Sequence, residues 1–239
     1  FCSGFENADL VGGARTATIA GTAVYKAVDK VIEKTTRIAA HLLEAAEADI
    51  EFADGTFTVA GTDRTVEFVE VAKTAFKPNQ LPKDIEIGLY ETATWSPDTG
   101  NVPNSCHICE VEIDPDTGIT ETIRYTSVHD VGVEINPLLV DGQVHGGIAQ
   151  GVGQALMEDV AYDQDSGQIL SGSFMDYCMP RASDFCNFDL DRHPVPTATN
   201  PMGVKGAGEC GTVGAVAVMM NAINDALAPL GVRNLSMPA

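Results

Sequence analysis

A glycine-bearing apolar stretch between Pro137 and Glu158 is the feature that most constrains how this chain can fold. Its apolar pattern predicts a helix over about residues 140–158, yet glycine stands at positions 142, 146, 147, 151 and 153. Each glycine inside a helix costs about 1 kcal/mol relative to alanine. That cost is offset where another backbone or a ligand comes closer than a side chain would allow. The stretch therefore predicts a helix that another backbone or a ligand contacts at very short range.

A second glycine-rich segment, residues 203–211, runs directly into the apolar stretch 212–227. Glycine loops that enter helices can direct backbone N–H groups at an anionic ligand. Glu209 lies inside this loop, where its carboxylate would repel such an anion. We therefore interpret Glu209 as a residue that performs chemistry beside a bound cofactor. The alternative is a solvated residue of the first helical turn, stabilised by the helix dipole.

Other classes of glycine loop fit this segment poorly. Gly206, Gly208 and Gly211 match the spacing of the dinucleotide-binding fingerprint, but no apolar strand precedes them and no strand with an acidic end follows. A Walker P-loop is excluded because the chain has no Gly-Lys-Ser/Thr sequence. Ser173 lacks the second glycine of a nucleophile elbow. A Rossmann site and serine-nucleophile chemistry are therefore not expected.

The charge of the chain is strongly acidic. It has 14 Lys and Arg against 34 Asp and Glu, for a net charge of −20. Nucleic acid and anionic membrane surfaces would be repelled, so neither is an expected partner. The most apolar run, residues 213–223, is interrupted by Gly214 and Asn221 and falls short of the roughly 18 residues of a membrane span. No membrane span is expected.

The six cysteines are spread thinly along the chain, which is typical of reduced thiols in a cytoplasmic protein. A cytoplasmic location is expected, with the periplasm as the alternative. Cys106 and Cys109 have a CxxC spacing, but they lie in an alternating segment that predicts a strand, where residues three apart point to opposite faces. No metal site built from side chains is expected. His129 and His145 are interpreted as packed or hydrogen-bonded residues rather than catalysts.

The remaining patterns predict an α+β fold in which mixed or antiparallel hairpin sheets pack with long helices. One domain over residues 1–239 is expected, with possible lobes at 1–80 and 81–239. The predicted helices cover residues 18–48, 65–76 with Thr65 as N-cap, 140–158 and 213–227. The predicted hairpins cover residues 49–60, 106–128 and 162–170, and long irregular segments are expected at 77–103 and 174–200.

Three segments resemble the molybdopterin-binding subunit of the xanthine dehydrogenase/aldehyde oxidase family, including its carbon monoxide dehydrogenase branch. They are residues 136–147 with 150–158, residues 200–209, and Gly12-Gly13-Ala14-Arg15-Thr16. The last is similar to a Gly-Ser-Arg-Ser segment of the family, with Ala14 and Thr16 in place of the serines. The order and spacing of the three fit over essentially the whole chain. The resemblance implies the molybdopterin-binding domain of the xanthine oxidase type and a molybdenum-dependent oxidoreductase.

The resemblance also implies roles for particular residues. Glu209 would be the general base in the oxidative hydroxylation of a small substrate. The cofactor would be a molybdopterin, its cytosine dinucleotide form included. Gln143 would bind the pterin through its amide, and Gly206 and Gly208 through their backbone N–H groups. Weaker candidates are Lys205, as a source of positive charge, and Arg15 and Thr16, toward the pterin or its pyrophosphate.

The family's large subunit is much longer than this chain, and the rest of it carries another cofactor loop and most of the substrate pocket. The cysteines lack the spacing of iron–sulfur ligands, so iron–sulfur and FAD groups are expected on partner subunits. The chain begins at Phe1 without a methionine, and residues 1–10 fit the family poorly. We expect a split subunit or a C-terminal fragment that does not turn over alone. The alternative is a cofactor-free domain with a scaffold or assembly role.

Overall fold

The computed structural model describes residues 14–239. The expectations for residues 1–10 and for Gly12 and Gly13 lie outside this part of the chain. The described residues form two compact units, residues 19–96 and residues 14–18 together with 97–239. They divide at residue 96, whereas the lobes expected from the sequence meet at residue 80. Every candidate site residue belongs to the second unit.

The first unit consists of two helices and a small antiparallel sheet. A π-helical turn, Thr16–Gly21, precedes α1 in the chain. The elements are α1 (Thr22–Leu42), β1 (Ile50–Ala53), β2 (Thr56–Val59), β3 (Thr65–Glu67) and α2 (Phe68–Thr74), with short 3-10 turns at Glu47–Asp49 and Pro78–Gln80. The expected hairpin is confirmed: β1 and β2 pair across Asp54 and Gly55, which have φ of 49° and 80°. Both angles lie in the left-handed region that a tight two-residue hairpin turn requires.

Two expectations for the first unit are wrong in detail. Thr65 does not cap a helix: it lies in β3, paired with Thr58, and α2 begins only at Phe68. Strand pairing prevails here because Val66 is buried beside Phe57 in the core of this unit. The long helix expected over residues 18–48 ends at Leu42, and two residues later Glu44 has a positive φ of 47°, which interrupts the helix.

The second unit combines a mixed three-stranded sheet with two long helices. Its elements are β4 (Asn104–Ile113), β5 (Thr120–Asp130), α3 (Pro137–Leu156), β6 (Phe188–Arg192) and α4 (Cys210–Leu227). β4 and β5 form the expected antiparallel hairpin, and β6 joins β5 in parallel. The sequence patterns missed β6, since it lies in a stretch expected to be irregular. The hairpin expected at residues 162–170 is reduced to one bridge between Tyr162 and Ile169. With the helices and strands of the first unit, the α+β class is confirmed.

The glycines of α3 mark where α4 crosses it. A Cβ on Gly147 would lie 2.9 Å from the Thr212 backbone nitrogen, and one on Gly151 would lie 2.6 Å from the Ala215 Cβ. From the other side, a Cβ on Gly211 would lie 2.5 Å from the carbonyl oxygen of Val144. The close approach that the sequence predicted is therefore confirmed for this part of α3. A Cβ on Gly142 or Gly146 would lie within 4 Å of no described atom beyond the adjoining backbone of α3 itself.

The core of the second unit lies between these helices and the sheet. Its fully buried members include Val144 and Ile148 of α3, Met219 and Ile223 of α4, and Tyr125 of β5. By length and composition alone, the 21-residue helical segment Cys210–Leu230 could cross a membrane, with a mean hydropathy of 1.4. One such helix is weak evidence for a span, and α4 packs on both α3 and β4. The expectation of no membrane span stays a prediction.

Asp130, the last residue of β5, fixes the loop that leads toward α4. Its carboxylate accepts hydrogen bonds from Lys205 Nζ and from the backbone N–H groups of Gly132 and Val195, the latter two at 2.9 Å. Burial alone would raise the pKa of Asp130, but these hydrogen bonds prevail and lower it to about 2. The ion pair with Lys205 is largely buried, with side-chain exposures of 10% and 11%. The carboxylate is therefore ionised at neutral pH and holds β5 and the loop together.

We expect Gly151→Ala to lower the free energy of unfolding by about 1–3 kcal/mol, because the added methyl group meets α4. Gly142→Ala is the matched control on the same helix. It meets open space and should leave stability unchanged or raise it by up to about 1 kcal/mol through helix propensity. Chemical unfolding of the purified variants measures both, and equal effects at the two positions would contradict the close helix contact.

Asp130→Asn should destabilise the protein at neutral pH and do so less in acid. A carboxylate with a folded pKa of about 2 contributes stability that is present above the unfolded pKa of about 3.9. That contribution is lost as the pH falls through the folded pKa. The difference between wild type and variant should be about 2 kcal/mol at pH 7 and should shrink between about pH 5 and pH 2. Urea unfolding at several pH values tests this, and a difference independent of pH would refute it.

Candidate functional site

The loop of residues 203–209 lies against the end of β5. Gly132 and Val204 form an isolated antiparallel bridge, and the Lys205 backbone N–H donates to the carbonyl of Val131 at 2.8 Å. Gly132 has a φ of 66°, and a Cβ there would lie 2.2 Å from the carbonyl oxygen of Gly203. Only glycine fits this position, for reasons of both conformation and space. The loop is therefore held along its backbone as an additional short strand would be.

Asn200 closes the turn at the start of this loop. Its side-chain Oδ1 accepts from the Val204 N–H at 3.1 Å, and its Nδ2 donates to the Val204 carbonyl at 2.8 Å. The residue is 5% exposed, so both bonds are shielded from water. Asn101 Nδ2 donates to the same carbonyl at 3.3 Å. A side-chain amide that satisfies both backbone groups of one residue fixes the turn's conformation.

Two of the segments singled out from the sequence meet at Gly206. A Cβ on Gly206 would lie 2.6 Å from both the Cβ and the carbonyl oxygen of Ala14. Ala14 has a φ of 55°, an uncommon conformation for a residue with a side chain. Gly206 is buried against Ala14. The space that a side chain would fill at this position is taken by Ala14 itself. Arg15 and Thr16 follow directly and are thereby placed beside the loop.

The third segment of the resemblance, which contains Gln143 of α3, meets the same loop at Gly208. A Cβ on Gly208 would lie 3.4 Å from the Ala14 Cβ and 3.8 Å from Gln143 Oε1. Gln143 is exposed in the second turn of α3, which is capped by Asn136 and begins at Pro137. Within residues 14–239 its amide makes no hydrogen bond to the protein. It is therefore available to donate to and accept from a ligand beside Gly208.

Glu209 occupies the N-cap position of α4 but does not act as a cap. Its backbone lies at φ −110° and ψ −6°, and its side chain makes no capping hydrogen bond to the helix. The residue is exposed, directly after Gly208 in the loop. The positive end of the α4 dipole favours a carboxylate here. Both carboxylate oxygens are therefore open to a proton or a ligand at this edge of the loop.

The remaining candidate residues for cofactor contact are Lys205, Arg15 and Thr16. Lys205 uses its ammonium group on Asp130, so its charge is already balanced inside the protein. The Arg15 carbonyl accepts from the buried Thr18 hydroxyl at 3.0 Å, and Thr16 is exposed at the start of the π-helical turn. Such turns occur frequently at functional sites. The predicted contacts of Lys205, Arg15 and Thr16 with a cofactor stay predictions.

The histidines and cysteines of residues 14–239 do not form a second site. No group of three His, Cys, Asp or Glu side chains within residues 14–239 is arranged to hold a metal ion. His145 Nδ1 donates to the Asp141 carbonyl at 2.8 Å. His129 is buried, which lowers its pKa and keeps the imidazole neutral. Cys106 is exposed and Cys109 partly buried, as residues three apart on a strand are expected to be.

Sequence reasoning missed three residues of this site. The sequence indicates Asn200 only as part of a family motif, although an asparagine before Pro-x-Gly is a typical turn signal. Ala14 stands out only as a substitution for serine. Asp130 has one local partner, Gly132, but Val195 and Lys205 lie 65 and 75 residues away along the chain, and no local pattern indicates them.

The chain matches known proteins over nearly its whole length. The family model of the molybdopterin cofactor-binding domain matches residues 6–186. Nicotine 6-hydroxylase large subunit from Paenarthrobacter nicotinovorans is 37% identical over 95% of this chain and 28% of its own length. The carbon monoxide dehydrogenase large chain of Afipia carboxidovorans is 35% identical, with the same two coverages.

A solved structure shows the same fold. Reconstituted carbon monoxide dehydrogenase from Oligotropha carboxidovorans superposes with a TM-score of 0.87 at 34% identity, over 94% of this chain and 28% of that one. The chain thus spans a little more than a quarter of the proteins that it matches. From the family match, the identities and this superposition, the chain belongs to the family of molybdopterin cofactor-binding domains.

Proposed function

We propose that this chain binds the pterin of a molybdenum cofactor and supplies Glu209 as the general base for the oxidative hydroxylation of a small substrate. The observation that carries the proposal is the convergence of Ala14, Gly208 and Gln143 at the loop that ends in Glu209. The sequence places these residues far apart, and the fold brings them together at Gly208, directly before the exposed Glu209.

The residues present fit a pterin. Such a ring system has hydrogen-bond donors and acceptors along its edges and is linked to a phosphate. Gln143 offers an amide without a protein partner in the described residues, and Gly208 leaves its backbone exposed beside that amide. Gly206 supports the site by letting the loop close on Ala14. We propose that Gln143 and the Gly208 N–H hold the pterin, with Gly206, Arg15, Thr16 and Lys205 as further contacts.

The chemistry is divided between the cofactor and the chain. When bound, the molybdenum centre accepts the two electrons released by the substrate. Glu209 takes up a proton, for which a base must come within about 2.6–3.2 Å of the group that gives it up. Its position after Gly208, without a capping bond to α4, leaves it free to reach that distance. Gly208 adds no side chain to the space beside Glu209 and the Gln143 amide, where the pterin would be held.

The remaining components of the enzyme are also proposals. The relatives are called large subunit and large chain, which supports partner subunits here. We propose that the rest of the large subunit completes the pocket, that iron–sulfur and FAD groups reside on partners, and that the cofactor is a molybdopterin, its cytosine dinucleotide form included. Free thiols at Cys106, Cys109, Cys178, Cys186 and Cys210 support a cytoplasmic location.

Glu209→Gln should lower kcat by at least about 100-fold, because it removes the base while preserving shape. Molybdenum and pterin contents of the complete assembly should not change. Turnover is measured as dye reduction with nicotine, carbon monoxide or an aldehyde, whichever the wild-type assembly oxidises. The matched control is Glu121→Gln, which makes the same change on the exposed surface of β5. Full activity in Glu209→Gln would refute the base role, and an assembly without molybdenum would favour the scaffold alternative.

Gln143→Ala should weaken retention of the cofactor about tenfold, the effect of roughly one lost hydrogen bond worth about 1.4 kcal/mol. Gln150→Ala on the same helix is the control, since Gln150 instead accepts from the Thr212 hydroxyl at 2.9 Å. Pterin released per protein during dialysis provides the measurement. Equal retention in Gln143→Ala and wild type would show that the amide does not bind the pterin.

A further inference from the structure

His107 of β4 connects the sheet to the first residue of α4. Its Nε2 lies 3.1 Å from the Cys210 carbonyl oxygen, and its Nδ1 lies 2.7 Å from Tyr125 Oη. A carbonyl oxygen can only accept, so the ring proton is assigned to Nε2 and the Tyr125 hydroxyl donates to Nδ1. Burial lowers the pKa of His107, which keeps the imidazole neutral and preserves this tautomer. Both ring nitrogens are therefore used in one continuous chain of hydrogen bonds.

The imidazole occupies a space that α4 leaves for it. A Cβ on Gly214 would lie 2.3 Å from His107 Cδ2 and 2.5 Å from Nε2. Tyr125, which is fully buried, meets the ring edge to face at 5.8 Å between centroids. The ring is thus held between the helix and the core. Ser105 adds a hydroxyl that donates to the same Cys210 carbonyl at 3.3 Å.

Cys210 in turn closes a tight turn around Glu209. Its backbone N–H and its thiol both donate to the carbonyl oxygen of Ala207, at 3.3 Å and 2.9 Å. Burial raises the pKa of the Cys210 thiol, so the proton stays on sulfur and remains available for this bond. Gly208 and Glu209 are the two residues enclosed by the turn. Whatever fixes Cys210 therefore also fixes the direction in which Glu209 leaves the backbone.

We propose that His107 is a positioning residue for Glu209. It touches no reacting atom. Its Nε2–H holds the Cys210 carbonyl, Tyr125 holds the ring, and Cys210 holds the turn that presents the carboxylate. The inference rests on the proposed base function of Glu209 for its effect on catalysis. Its structural part, the restraint on residues 207–210, stands independently.

The test is a double-mutant cycle between His107 and Gly214 in the complete assembly. His107→Ala should lower kcat by about 10–100-fold with KM and molybdenum content unchanged, because a displacement of about 1 Å at a catalytic group can cost about 100-fold. Gly214→Ala should act similarly by expelling the ring. In the His107→Ala background, Gly214→Ala should cause no further loss, since no ring is left to displace.

Two further variants separate positioning from general stability. His107→Gln carries an amide N–H that can replace Nε2–H, and it should recover most of kcat. His41→Ala removes an exposed imidazole from α1 and should leave turnover unchanged. Amide hydrogen exchange over residues 207–214 gives a readout independent of turnover. It should accelerate in His107→Ala and Gly214→Ala and return to the wild-type rate in His107→Gln.

Unchanged exchange in His107→Ala, additive losses in the double variant, or a rise in KM at constant kcat would each overturn the proposal. If Glu209→Gln retains activity while exchange still accelerates in His107→Ala, the base role fails and the restraint on the turn stands. The two failures are thereby distinguished.

Discussion

The contact between the backbones of α3 and α4 is the constraint on which the rest of the second unit depends. Glycine at 147, 151 and 211 lets the helices approach within distances that any Cβ would prevent. That approach fixes α4, and α4 begins where the loop carrying Glu209 ends. The same helix α3 carries Gln143 one turn before the contact. The packing of two apolar helices therefore determines the spacing between the Gln143 amide and the Glu209 carboxylate.

The site combines rigid surroundings with polar groups that have no hydrogen-bond partner among residues 14–239. Asn200 and Asp130 hold the loop through buried hydrogen bonds to its backbone and to Lys205, and Gly132 lets the loop approach the end of β5 closely. Gln143 and Glu209, in contrast, are exposed. Such an arrangement reduces the entropy that ligand binding would otherwise cost, because the loop is ordered before the ligand arrives. The acidic net charge of the chain does not prevent an anionic ligand here, since local N–H groups act at much shorter range.

Local patterns predicted a large part of this structure and distant pairings did not emerge from them. The turn at Asp54 and Gly55 and the glycines of α3 each carry a physical reason in the sequence, and both were anticipated. β6 was not, because a run of five residues in a proline-rich stretch is a weak strand signal and its partner β5 lies more than 50 residues earlier. The loop around Glu209 was found from its glycines. Its partner Ala14 was not identified as such, since a positive φ on alanine leaves no trace in the residue type.

The contact between Ala14 and Gly206 has a consequence for how the protein matures. These residues lie near opposite ends of the described chain, so their meeting closes a loop that contains nearly all of it. Closing a loop of that length costs chain entropy, and helices and strands formed in between reduce that cost. We therefore expect the contact between Ala14 and Gly206 to form late in folding. A ligand whose binding required this contact would be retained only by chains in which those helices and strands had formed.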